Sequence, residues 1–270
     1  MNTQNTTVYL AWQDSRSRRW FVVGRLRQLP QAIYEFVYTR GYEEAKRIAH
    51  MQPILGFADR EQRYLSDKLF PLFQNRLMSP NREEYAAYIE RLGLLYDPRA
   101  PAAPLQVLAR SGGHRATDPF AVVAAPWKQP SEEGGHSYVL DFFVHGTRYV
   151  PPESQARASQ CHPGERLLLL SDWQNEYDPK SVMIRTERDN HLLGWLPRYY
   201  SADIATLRAQ GLSIEVRVER ANPTSSPLEQ RLLCRLTSPW PEKFHALTDL
   251  EYQPLLNTAQ EDLLSGFASV

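Results

Sequence analysis

Asn175-Glu176-Tyr177-Asp178-Pro179-Lys180-Ser181-Val182 decides how the second half of the chain is read. Asn and Asp side chains bond their own backbone, and Pro stops a regular run, so this stretch is a turn. Arg166 to Ser171 precedes it and Ser181 to Thr186 follows it; both read as short strands, which makes the pair a hairpin carrying a tyrosine at its loop. Working outward, Leu192 to Leu196 is the next strand. Tyr138 to Val144, Ser213 to Glu219 and Arg231 to Leu236 bring the number to six. One helix, roughly Ser201 to Ala209, interrupts them and ends at Gly211. Pro151 to Pro163 reads as a long loop. Short strands at near-regular spacing predict a small OB or SH3-like β-barrel over residues 137–240.

The regions flanking this barrel differ in composition. Residues 127–136 lie inside an irregular stretch, Ala124 to Gly135, with two prolines, two glycines and no apolar period, and read as a linker. Residues 1–126 open with three strand candidates, Thr7 to Trp12, Arg19 to Leu26 and Ile33 to Tyr38. Helices follow. Ser79 or Asn81 stands where a cap would, ahead of Glu83 and Glu84, and Tyr85, Tyr88, Ile89 and Leu92 fall at helical spacing. Leu105 to Arg110 is a short helix ending at Gly112-Gly113, and Phe120 to Val123 returns to a sheet. This first part is α+β. Residues 241–270 carry apolar residues at helical spacing, from Phe244 and Leu247 to Leu263, Leu264 and Phe267, together with five acids. They read as an acidic helical tail.

Composition narrows the functional classes. With 42% hydrophobic and 11% aromatic residues in 270, the chain buries a core and is not broadly disordered. The longest plain leucine run is Leu167 to Leu170, far short of a membrane span, and the first residues are polar; a cytoplasmic protein without a membrane partner is expected. Two cysteines, Cys161 and Cys234, supply neither a disulfide framework nor a four-cysteine metal site. The balance of 31 basic and 31 acidic residues hides an asymmetry. Residues 1–130 hold 18 Lys and Arg against 12 Asp and Glu, and the remainder 13 against 19. Bulk attraction to nucleic acid is therefore weak in the second half. No phosphate-binding Gly-Lys-Ser/Thr loop, His-Glu-x-x-His or Gly-x-Ser-x-Gly occurs, and the histidines form no triad with Ser or Cys. The expectation is a protein without catalysis, metal or cofactor.

Four segments of the barrel region, taken in order, resemble the HIRAN domain. They are Val144-His145-Gly146-Thr147-Arg148-Tyr149, Pro163-Gly164-Glu165-Arg166-Leu167, the Asn175 to Val182 box, and Leu193-Gly194-Trp195-Leu196-Pro197-Arg198-Tyr199. The resemblance covers about residues 138–237. It implies a modified OB-like barrel found in helicase-like repair proteins, and recognition of a single-stranded DNA 3′ end. Asp178 and Asn175 would then meet the terminal hydroxyl, with Tyr149, Tyr177 and Trp195 stacking bases and Arg148 and Arg198 holding phosphates. This chain departs from the family pattern at Glu176, where Pro is frequent, at Ser181 in place of Ala, and at Trp195 in place of His or Tyr.

A second resemblance lies in the first domain. Val23-Gly24-Arg25-Leu26, Tyr34 to Tyr38 and Leu69-Phe70-Pro71-Leu72-Phe73-Gln74-Asn75-Arg76-Leu77 resemble the opening subdomain of HipA-type kinases, with Leu108 to Gly113 and Asp118 as a later echo. It implies an alternative role: an accessory subunit or antitoxin that restrains a HipA-like Ser/Thr kinase in a toxin–antitoxin or phage-defence system. Phe70, Leu72, Phe73, Arg76 and Leu77 would form that partner interface, and an exposed apolar patch around Leu69 to Leu77 would mark it.

Overall fold

The computed structural model of the chain describes residues 7–132, 134–176 and 178–256. In chain order the first elements are β1 (Thr7–Gln13), β2 (Trp20–Gln28), β3 (Tyr34–Tyr38), α1 (Arg40–Ala49), β4 (Tyr64–Ser66) and α2 (Pro71–Gln74). Next come α3 (Tyr85–Arg91), α4 (Pro104–Ser111), β5 (Phe120–Ala124), β6 (Trp127–Pro130), β7 (His136–Phe143) and α5 (Pro152–Ala158). The remainder is β8 (Arg166–Ser171), β9 (Val182–Thr186), β10 (Leu192–Trp195), α6 (Ser201–Ala209), β11 (Glu215–Ala221) and β12 (Leu232–Pro239). Among the described residues, no helix is long and apolar enough to cross a membrane.

The chain divides into two units, and neither is continuous in sequence. Described residues 7–78, 103–125 and 248–256 form the first, and 79–102 with 126–247 form the second. In the first unit an antiparallel sheet runs β4-β3-β2-β1-β5. Alternation sends Val8, Leu10, Phe36 and Tyr38 to one core, where α1, α2 and α4 cover them. Phe36 lies 4.1 Å from Phe57 and 5.9 Å from Phe73, centroid to centroid. Burying one such ring contributes roughly 2–3 kcal/mol. Tyr38 pays no polar penalty there, because its hydroxyl donates to Phe57 O and accepts from Ile54 N–H, each at 2.7 Å. On the opposite face Tyr9 meets Tyr252 edge-on at 5.1 Å, so residues near 250 belong to this sheet.

In the second unit a seven-stranded antiparallel sheet runs β10-β9-β8-β11-β12-β7-β6. The closed OB barrel expected from the strand count does not form: β10 and β7 stand at different places in an open order, and among the described residues one isolated bridge, His145 with Trp195, links the chain after β7 to β10. Asp141 on β7, buried, receives a two-pronged contact from its cross-strand partner Arg235 at 2.7 and 2.9 Å. Several smaller expectations also differ. Trp127–Pro130, inside the stretch read as linker, is the edge strand β6 on β7. Pro151 to Pro163, read as a loop, holds α5. The Ser79 and Asn81 caps are not used, since α3 begins at Tyr85 after a turn. Of the tail over 241–270, the described part has a 3-10 turn at Leu250–Tyr252 and no α-helix; residues 257–270 lie outside the described residues.

Candidate nucleic-acid interface

The site is assembled where the chain leaves β7. Val144 N–H still reaches Leu232 O, and His145 then exchanges two 2.9 Å backbone hydrogen bonds with Trp195. Two glycines permit that approach. Gly194 has φ +141, and a Cβ there would lie 2.3 Å from His145 O. Gly146 has φ +70, and a Cβ on it would lie 2.6 Å from Trp195 Cε3. The chain leaves Gly146 in a 3-10 turn, Thr147–Tyr149, closed by Tyr149 N–H to Gly146 O at 2.9 Å. Thr147 faces inward and donates to Leu228 O at 3.3 Å. Arg148 and Tyr149 are consequently turned outward. Tyr149 is 72% exposed, and the Arg148 guanidinium sits 5.1 Å from its ring centroid.

The loop between β8 and β9 holds its shape by side-chain bonds to its own backbone. Asp172 N–H donates to Ser181 O, Asn175 N–H to Asp172 O, and Ser181 N–H to Asp178 O. Asn175 Oδ1 accepts from Asp178 N–H at 3.0 Å, and Asp178 Oδ1 accepts from Lys180 N–H at 3.0 Å. Asp172 Oδ2 accepts both from Asn175 Nδ2 at 3.2 Å and from Trp195 Nε1 at 3.0 Å. One carboxylate thus ties the loop to the strand end and fixes which face Asn175 presents.

Of the residues expected at a DNA end, Trp195, Asn175 and Asp178 come together through Asp172, and Arg148 with Tyr149 follows the glycine packed on Trp195. Trp195 is half-buried with its N–H committed, so it serves as a floor more than as an open stacking surface. Arg198 is exposed on the 3-10 turn after Pro197. Tyr177 lies outside the described residues. Sequence reasoning missed Asp172 and Trp173. The signal for Asp172 was its place three residues before Asn175, a spacing at which side chains and backbone close a turn. Trp173, 85% exposed, was visible only as a large aromatic in an otherwise polar loop.

Shifted titratable groups of this unit belong to structural contacts outside that loop. Arg157 on α5 pairs with Glu165 and with Asp189, the latter at 2.6 Å. A Thr186 hydroxyl and that guanidinium hold Asp189 down to about 2. Burial pushes the Cys161 thiol up to about 11 and Cys234 well above its ordinary value. Both are thiols at neutral pH, the unreactive form. Among the described residues no three His, Cys, Asp or Glu side chains gather as a metal site.

The residues expected at a partner interface on the first unit are Phe70, Leu72, Phe73, Arg76 and Leu77, and they differ in exposure. Phe73 is fully enclosed, and Phe70, Leu72 and Leu77 pack against the same core. Arg76 is buried as well, donating to Asp118 at 2.7 Å and Gly113 O at 3.2 Å, with Phe120 under its guanidinium at 5.7 Å. Phe73 and Arg76 thus serve the unit's own interior, while Phe70, Leu72 and Leu77 are half-buried.

Comparison with known proteins bears on the second unit alone. The family model described as the HIRAN domain matches residues 137–239. A Lactobacillus plantarum protein solved by structural genomics is 25% identical, with 38% of this chain and 96% of that one covered at a TM-score of 0.32. The HIRAN domain of human HLTF is 18% identical, with 37% and 72% covered at a TM-score of 0.27. No curated protein matches the chain. The Gly146, Asn175–Asp178 and Gly194–Trp195 elements all fall inside the matched span, and residues 137–239 of this chain are a HIRAN domain.

Proposed function

We propose that the HIRAN domain of this protein binds single-stranded DNA at an end bearing a free 3′ hydroxyl, and that the protein acts by binding without catalysis. The observation carrying this reading is the loop in which Asn175 and Asp178 are fixed by their own backbone beside an outward Arg148–Tyr149 turn. A hydroxyl donates to a carboxylate and accepts from an amide, so it suits Asp178 with Asn175. A terminal phosphate meets Asp172, Glu176 and Asp178 within one loop and is repelled. Tyr149 offers a ring face to a base, and Arg148 and Arg198 offer charge to backbone phosphates, which sets position without reading sequence.

The test is the affinity of the full chain for a labelled single strand ending in a 3′ hydroxyl, beside the same strand ending in a 3′ phosphate. The hydroxyl end is expected to bind at least about tenfold more tightly, with Asp178→Ala abolishing the preference. Two arginine contacts predict a shallow salt dependence, a slope near −1.4 in log affinity against log salt. Equal affinity for both ends would refute end recognition.

A further inference from the structure

Within residues 137–239, the exposed large apolar side chains among the described residues are Tyr149 and Trp173. Both belong to segments that touch Trp195. Trp195 Nε1 donates to Asp172, the residue before Trp173. Gly146, three residues before Tyr149, lies against Cε3 and Cζ3 of the same indole. Nε1 and the Cε3–Cζ3 side are opposite edges of an indole, so the two segments that carry these exposed aromatics meet Trp195 at opposite edges. Tryptophan is highly buried on average, and at 85% exposure Trp173 forgoes the stabilisation that burial brings. Its backbone is nonetheless fixed, since Asp172 is bonded to Ser181, Asn175 and Trp195 around it. A rigidly held, open indole loses little freedom when a flat partner settles on it.

The geometry points to Trp173 as a stacking surface for a second unpaired base, that of the nucleotide next to the 3′-terminal one. This rests on the end-binding reading, with the Asp172–Trp173 segment meeting Trp195 at the edge opposite Gly146. Tyr149 takes the terminal base and Trp173 its neighbour. Any base offers a π face, so the contact tolerates every sequence while requiring that the penultimate nucleotide be unpaired. A blunt duplex end therefore satisfies the hydroxyl contacts at Asn175 and Asp178 but not Trp173. The same side chain is also of the type that anchors protein interfaces, and the experiment separates the two uses.

Affinities of the full chain, its Trp173→Ala variant and its Trp173→Phe variant are measured on two oligonucleotides with 3′ hydroxyl ends. One is intact; the other is abasic at the second nucleotide. Trp173→Ala is expected to weaken binding of the intact strand about tenfold, with Trp173→Phe recovering most of the loss. On the abasic strand the same alanine substitution is expected to change affinity less than about twofold, because the base it would stack is already gone. Wild-type affinity of Trp173→Ala for the intact strand overturns the inference alone. An equal loss on both strands overturns it as well. Failure of the unsubstituted chain to prefer a 3′ hydroxyl over a 3′ phosphate removes the end-binding reading, and this inference with it.

Discussion

Glu35 is 1% exposed, yet three guanidiniums surround its carboxylate: Arg25 and Arg27 from β2, and Arg63 from the approach to β4. Burial pushes its pKa up, but the hydrogen bonds and charges of Arg27 and Arg63 outweigh that and hold it below the ordinary glutamate range. The sign follows from the depressed value. The ionised carboxylate contributes stability fully above the unfolded value, near 4.3, and that contribution is lost as pH falls through the lower folded value. Glu35→Gln leaves the three arginines facing a neutral amide, and is expected to cost about 3 kcal/mol at neutral pH. Urea unfolding from pH 7 down to pH 3 checks this. The variant should show a shallower acid-limb decline than the parent, and parallel curves would mean that Glu35 is not among the groups that titrate there.

At the scale of elements, the junction between the end of β7 and β10 depends on Gly194 more than on any side chain. A methyl group there meets His145 O at 2.3 Å and Val144 Cγ1 at 2.7 Å, and neither is a free-swinging end. Gly194→Ala is expected to lower stability by about 2–3 kcal/mol and to weaken 3′-end binding, since the Trp195 floor moves with the strand. Chemical denaturation and the oligonucleotide titration on the same sample test both. Legibility varied among elements for identifiable reasons. The sheet strands declared themselves through β-branched and aromatic runs, and the Asn175 to Asp178 turn through its Asx residues. α5 did not, because its buried positions are Ser154 and Ala158 and carry no hydrophobic period. α1 was harder to read because its enclosed face, Gly41, Tyr42 and Ala45, holds one large side chain, though Glu43 near its start and Lys46 and Arg47 near its end match the helix dipole. β6 is an edge strand whose pairing is made by backbone, so Trp127 to Pro130 shows no alternation to read. Asp172 shows a turn spacing to Asn175, but its place against an indole 23 residues away needed the fold.

The whole chain is threaded through its units more than once, which a linear division into domains misses. Residues 248–256 complete the first sheet: Leu255 N–H bonds Tyr38 O at 2.9 Å, Arg40 N–H bonds Gln253 O at 2.8 Å, and Tyr252 is buried against Tyr9. Residues 79–102 belong to the second unit, where Asn222 Nδ2 donates to Arg91 O at 2.9 Å and Arg91 Nε to Gln230 at 3.0 Å. Ending the chain at residue 247 should therefore destabilise the first sheet by about 3 kcal/mol, from one buried tyrosine and two backbone hydrogen bonds. A lower urea midpoint with residues 1–247, against the full chain, is the expected result. An unchanged midpoint would mean that the sheet closes without its last strand-like segment.

The bridge between His145 and Trp195 has one more consequence. Its two amide protons are locked by each other's carbonyls, at a bridge that fastens the open sheet of the HIRAN domain across, next to Gly146 and Gly194. Their exchange with deuterated solvent thus times the unlatching of that fastening. On the proposed reading a strand end rests on Trp195 and Tyr149 only while the latch is shut, so added oligonucleotide should slow exchange at those two amides in proportion to saturation. The protein carries its own clock for whether the site is filled, readable without a label on either partner.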